Sequence, residues 1–136
     1  MSDNDKFDIR DGLLYTRDHE WALPKPEGLQ VGITSYAVDQ LGDITLVNID
    51  VKVGETVAAG KAFGTIESVK TLSDLFSPVA GKVAKINPEL ESRPELVNED
   101  CYGKGWMIVI APEDVSEKDK LLSPSAYRDL LKTVAH

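Results

Sequence analysis

The chain has a single cysteine, Cys101, and only two histidines, His19 and His136. One thiol cannot close an internal disulfide or supply a zinc framework, and it is compatible with a reducing compartment. The histidines do not stand at metal-ligand spacing. A Ser-His-acid triad would have to use His19, and no Gly-x-Ser-x-Gly elbow accompanies it. A phosphate loop is missing too: five residues before Gly60-Lys61 stands Glu55, not glycine. Basic residues are in deficit, 15 Lys and Arg against 23 Asp and Glu, for a net charge of −8. Nucleic-acid backbones require clustered Lys and Arg that displace counterions, so no nucleic-acid partner is expected. No apolar run reaches bilayer-spanning length, so no membrane partner is expected either. Residues 1–10 are acidic and polar, unlike a secretory signal or an arginine-rich transit peptide. These absences lead us to expect a soluble, cytoplasmic chain without a catalytic site of its own, or a mitochondrial-matrix one if the chain is a processed eukaryotic form.

What is present is a strand-rich pattern. The 136 residues suffice for one core. Residues 13–22 alternate weakly, Pro24, Pro26 and Gly28 mark a turn, and residues 29–33 resume as a strand. Thr34 or Ser35 can cap a short helix to Leu41, with Gly42 in the stop position. Residues 44–53 show period two with a phase shift near Val47 and Asn48, which predicts a bulged strand. Residues 62–66 and 72–76 read as strands. Residues 82–86 alternate charged with apolar side chains, as a half-exposed strand does. Asn87-Pro88 predicts a helix start, Pro94 a break, residues 106–110 a last strand, and Ser123-Pro124 a terminal helix with Tyr127, Leu130 and Leu131 on one face. Short strands with tight turns and edge helices predict a compact β sandwich or barrel. Trp21 and Trp106 are expected to be core aromatics, His19 a half-buried residue orienting the Glu20 loop, and Cys101 a small packing residue.

One segment stands out, from Phe63 to Gly81. A single lysine, Lys70, sits near the apex between two apolar strand-like runs. A hairpin tip holds its side chain out from a rigid scaffold, where a modifying enzyme can acylate the amine and remove its charge. A long acyl chain on a long stem is a tether that raises the effective concentration of its end at any docked site. For an arbitrary protein such a lysine is simply solvated.

The wider pattern overturns that default. His19-Glu20-Trp21, Val31-Gly32-Ile33-Thr34, Leu41-Gly42-Asp43-Ile44, Glu67-Ser68-Val69-Lys70, Ser73-Asp74-Leu75, Ser77-Pro78-Val79-Ala80-Gly81, Pro94-Glu95-Leu96-Val97-Asn98 and Tyr102-Gly103-Lys104-Gly105-Trp106 stand in one order. Together they resemble the glycine cleavage H-protein family of lipoyl carriers, from about Leu14 to Ile110. The flanks of the lysine differ from the Asp-Lys-Ala of 2-oxo acid dehydrogenase lipoyl domains and the Met-Lys-Met of biotin carriers.

The resemblance implies a mainly β barrel-sandwich hybrid, lipoyl-domain-like, with short flanking helices and a C-terminal helix. Residues 1–12 would be a loose segment and residues 13–136 one lipoyl-carrier domain, expected to be monomeric. It implies covalent lipoate on Lys70, with Glu67 and Gly81 serving recognition by the lipoyl-attaching enzyme. Glu20, Asp74 and Asp18 would line a cleft for the aminomethyl-loaded arm. The partners implied are glycine decarboxylase, aminomethyltransferase and dihydrolipoamide dehydrogenase, with no independent catalysis by this chain. Two readings stay beside it: a similar lipoyl carrier serving sulfur oxidation or lipoate relay, and an unmodified binding module on the same fold. Gln40, where some relatives have histidine, removes any helper histidine from that position.

Overall fold

The computed structural model describes residues 8–134. In chain order the strands are β1 (Leu14–Tyr15), β2 (Glu20–Lys25), β3 (Gly28–Ile33), β4 (Ile44–Ile49), β5 (Thr56–Val57), β6 (Ala62–Ser68), β7 (Leu72–Phe76), β8 (Gly81–Ile86) and β9 (Ile108–Pro112). The helices are α1 (Ser35–Leu41), α2 (Glu89–Ser92), α3 (Leu96–Glu99) and α4 (Pro124–Val134), with a 3-10 turn at Val115–Lys120. All ladders are antiparallel and form two sheets, one of six strands in the order β1-β2-β3-β9-β8-β5 and one of three in the order β4-β6-β7. This is the expected mainly β sandwich with short helices and a C-terminal helix; the two sheets do not join into a closed barrel. Among the described residues no helix is long and apolar enough to cross a membrane.

Both sheets feed one core. Val31, Ile33, Val83, Ile108 and Ile110 enter it from the larger sheet, and Val47, Phe63, Ile66 and Leu75 from the smaller. Phe63 and Ile66 are three residues apart, so a regular strand would point them to opposite faces. A register shift between Ala62 and Gly64 restores the phase and buries both. The corresponding shift in β4 falls between Ile44 and Leu46, not near Val47 and Asn48 as the sequence pattern predicts. It lets Ile44 and Val47 face inward together while Leu46 turns to solvent. The strand also stops at Ile49 instead of running to Val53. Beyond it the Gly54 amide donates to Val83 O at 2.8 Å, carrying the chain to the other sheet.

Thr34 caps α1, its side chain accepting from Ala37 N at 3.3 Å, and Gly42 ends it at φ +79°. Asn87 Oδ1 accepts from Glu89 N at 3.1 Å at the entry to α2. A second cluster packs α4 onto β1 and β2: Tyr127 and Leu131 are buried beside Tyr15 and Trp21, and the Tyr15 and Tyr127 rings stack at 4.5 Å. Of the segment expected to be loose, residues 1–7 lie outside the described residues. Asp8 and Arg10 are held by hydrogen bonds to Ser35, Tyr102 and Tyr15.

Trp106 departs from expectation. It lies in a turn before β9, its amide donating to Gly103 O at 3.1 Å, and its side chain is only half-buried. Trp21 is fully buried and its Nε1 donates to Cys101 O at 2.9 Å. We therefore expect Trp21→Ala to cost about 3–5 kcal/mol and Trp106→Ala clearly less. Urea unfolding of the two variants measures the difference, and equal losses would contradict this ranking.

Candidate functional site

The β6–β7 hairpin ends at the Glu67–Leu72 pair, leaving the turn Ser68-Val69-Lys70-Thr71. Ser68 organises it. Its amide donates to Thr71 O at 2.8 Å, and its hydroxyl oxygen accepts from the amides of Lys70 and Thr71, each at 3.2 Å. A short polar side chain thus replaces the backbone partners that a turn leaves unmade. The Val69 amide donates to Asp43 O at 3.1 Å, which seats the tip on the loop after α1.

Lys70 is exposed. Among the described residues its amine makes no hydrogen bond or ion pair. Its stem lies over Gly42, where an added Cβ would stand 3.4 Å from Lys70 Cε. Three exposed apolar side chains surround the lysine's hairpin: Val69 in the turn, Leu72 at the start of β7, and Leu46. Leu46 and Leu72 both pair with Glu67, so the exposed Glu67 stands between them on one face.

Gly81 is not part of this tip. It opens β8 in the other sheet, pairs with Val57 and Pro112, and is buried. Any side chain there would strike Ala111 O. The requirement for glycine is therefore close strand approach.

Beside the hairpin lies a cleft of about 160 Å³ that brings Asp18, Glu20 and Asp74 together. Its floor is apolar, from Ile33, Leu41, Ile66 and Leu75, while Asp18 and Asp74 are exposed at the rim. Glu20 is different, only 2 % exposed. Its Oε2 accepts from Phe76 N at 2.8 Å and its Oε1 from Thr16 Oγ1 at 3.3 Å. Burial pushes the carboxyl up to about 8, against the opposing pull of the Phe76 amide.

His19, next to Glu20, adopts φ +66°, a left-handed conformation that few non-glycine residues take, although histidine takes it more readily than most. Its ring packs on Tyr36 at 4.5 Å, and its Nδ1 lies 2.8 Å from Tyr127 Oη. Tyr127 Oη in turn lies 2.7 Å from Thr34 Oγ1. Burial lowers the His19 pKa. The ring is thus half-buried and partnered, and it fixes the backbone from which Glu20 enters the cleft. Cys101 is half-buried, and burial pushes its thiol up to about 11, away from thiolate chemistry. Among the described residues no group of three His, Cys, Asp or Glu side chains could hold a metal ion.

Two contributors were not read from the sequence. Ser68 looks like any turn serine, and only its three partners in the fold reveal its role. Asn98 sits on α3, yet its side chain bonds both sides of Asp43: Nδ2 donates to Gly42 O at 2.9 Å and Oδ1 accepts from Ile44 N at 2.8 Å.

The same arrangement belongs to a known set of proteins. Residues 13–134 match the family model described as glycine cleavage H-protein. The chain is 50% identical over 121 residues to the glycine cleavage system H protein of Magnetococcus marinus, covering 89% of this chain and 86% of that one. It is 45% identical over 129 residues to that of Thermus thermophilus, covering 95% and 100%. A crystal structure of a glycine cleavage system H protein from Mycobacterium marinum superposes with a TM-score of 0.80 at 38% identity, covering 94% of this chain and 100% of that one. With a family model spanning nearly the whole sequence and a matching fold, the chain belongs to the glycine cleavage H-protein family.

Proposed function

We propose that Lys70 carries lipoate in amide linkage and that the chain is a shuttle between enzymes, not a catalyst. The observation that carries this reading is an exposed amine that no described residue partners, on a turn ordered by Ser68, next to an acid-rimmed cleft. The lysine fits the group: acylation removes a charge that no described residue pairs with, so no ion pair is broken. Bound there, lipoate supplies a disulfide–dithiol couple able to take up and release an aminomethyl group.

The residues around it have separate tasks. Glu67, Val69, Leu46 and Leu72 present a mixed acidic and apolar contact around the amine for the lipoyl-attaching enzyme. Gly81, buried in the other sheet, acts on that recognition only through the strand packing it permits. Asp74 lies four residues from Lys70, at most about 13 Å of extended chain, so the rim of the cleft is within reach of an extended lysine arm. Asp18 and Asp74 accept the ammonium of the cargo at the rim, and Glu20, buried and holding its proton, closes the polar end of the cleft beneath them. Ile66 and Leu75 keep water from the cleft floor. The chain visits glycine decarboxylase for loading, aminomethyltransferase for unloading and dihydrolipoamide dehydrogenase for reoxidation. The excess of acidic residues suits brief docking on basic patches of larger partners.

Lys70→Arg should fold as the parent does, because the site is an exposed turn, yet fail to gain the lipoyl mass and fail to support glycine–bicarbonate exchange with the decarboxylase. Exchange at the parent rate would overturn the assignment.

Glu20 yields a pH prediction. The folded chain keeps its proton to about pH 8, whereas an exposed carboxyl releases it near 4.5. Between these values the folded form binds more protons than the unfolded one, so this group's contribution to stability falls as pH rises, then levels above pH 8. In Glu20→Gln that contribution is absent. Denaturant unfolding from pH 5 to 8 should show the parent losing stability relative to the variant; parallel curves would refute the burial argument.

A further inference from the structure

We propose that Asn98 is a positioning residue for the Lys70 amine, acting through the loop after α1 upon which the hairpin tip rests. The proposal rests on the reading of Lys70 as the acylated residue.

Asn98 stands on a firm base. Its neighbours Leu96 and Val97 are 2 % and 0 % exposed and belong to the main core. The Asn98 side chain itself is exposed, so packing gives no account of it. What the side chain does is bridge. It donates to Gly42 O at 2.9 Å and accepts from Ile44 N at 2.8 Å, partners 56 and 54 residues away in sequence. Only a side chain with a donor and an acceptor on one rigid group closes both bonds.

The bridge encloses one residue, Asp43, whose carbonyl accepts from Val69 N at 3.1 Å. Among the described residues this is the one hydrogen bond that Val69, Lys70 and Thr71 make outside their own hairpin. Gly42, the other residue the amide holds, is the bed of the lysine stem. At φ +79° it favours glycine, and an added Cβ would stand 3.4 Å from Lys70 Cε and 3.9 Å from Nζ. Asn98 therefore fixes both surfaces on which the arm's root lies, the carbonyl under Val69 and the glycine under the stem. Among the described residues it does so without a hydrogen bond to the lysine.

Positioning of this kind should appear in the rate of the bound complex. Acylation needs the amine held at a near-attack position, and small displacements there are felt as large losses. Docking uses the exposed side chains of the hairpin, which the substitution leaves in place.

The test compares the parent with Asn98→Ala, both as full chains. Amide hydrogen exchange reads the tip, and a lipoate–protein ligase with lipoate and ATP reads acylation. Exchange at Val69 and Ile44 should quicken about fivefold or more, the size expected from losing a hydrogen bond. Val31 and Ile110 in the core sheet should keep parent protection, which shows that the fold is intact. The kcat of acylation should fall about fivefold or more with KM within about twofold of the parent. Parent-like protection at Val69, an unchanged kcat, or a rise in KM alone would each overturn the proposal, the last by marking Asn98 as a direct contact of the ligase. A parent chain that gains no lipoyl mass at Lys70 would overturn both this proposal and the reading beneath it. An acylated parent with an indifferent variant would overturn this one only.

Discussion

The proposed attachment at Lys70 sets a requirement that pulls in two directions: the amine must stand clear of the described residues while the backbone beneath it stays fixed. A bare hairpin tip satisfies the first condition and fails the second, because two strands joined by a turn are marginal alone. The chain meets both by spending local polar groups on the turn. Ser68 takes up the amides of Lys70 and Thr71 from inside, and the Asp43 carbonyl takes up Val69 from outside. With the main chain so occupied, the Lys70 stem rests on Gly42 and its amine is left without a hydrogen bond or ion pair among the described residues.

That local solution depends on where the small sheet lies. Its middle strand, β6, is anchored by Phe63 and Ile66, and both reach the core only because the ladder slips by one residue between Ala62 and Gly64. The slip in β4 does the same for Ile44 and Val47 and sends Leu46 outward, into the row with Glu67 and Leu72. The bulges thus set both the inner face that holds the hairpin and the outer face it presents. A regular strand with the same composition would lose one or the other.

Much of this was legible in the sequence. The Thr34 cap, the Gly42 stop and the apolar face of the terminal helix follow from local rules, and the structure keeps them. Residues 82–86 form the expected half-exposed strand, but a register shift between Val83 and Lys85 interrupts the alternation and leaves Lys82 and Lys85 both exposed. The failures share a cause, which is that hydrophobicity reports composition and not geometry. Leu46 is apolar yet exposed, so the pattern could not tell where the extra residue of β4 sat. Trp106 has the composition of a core residue, but a turn through Gly103 lifts it partly out. The 3-10 turn Val115–Lys120 is polar and short, held by Asp114 accepting from Ser116 N, and it leaves no periodic trace. At the site, the residue types were readable and their partners were not. By residue type Glu20 is one acid among 23, and the family resemblance places it at the cleft, but its burial under β7 shows only in the fold.

Glu20 also explains why the cleft and the tip act as one unit. It sits in β2 of the large sheet, and its carboxyl accepts from Phe76 N in β7 of the small sheet. β7 begins at Leu72, beside the turn that carries Lys70, and passes Asp74 on its way to Phe76. A single strand therefore connects the lysine's hairpin to the rim and the floor of the cleft. The backbone behind Glu20 is held in turn by the His19–Tyr127–Thr34 contacts, which reach the terminal helix. The C-terminal helix, far from Lys70 in sequence, thus bears on the depth at which the cleft's buried acid lies, and the acid lies deep enough that burial outweighs its hydrogen bonds in setting its proton affinity.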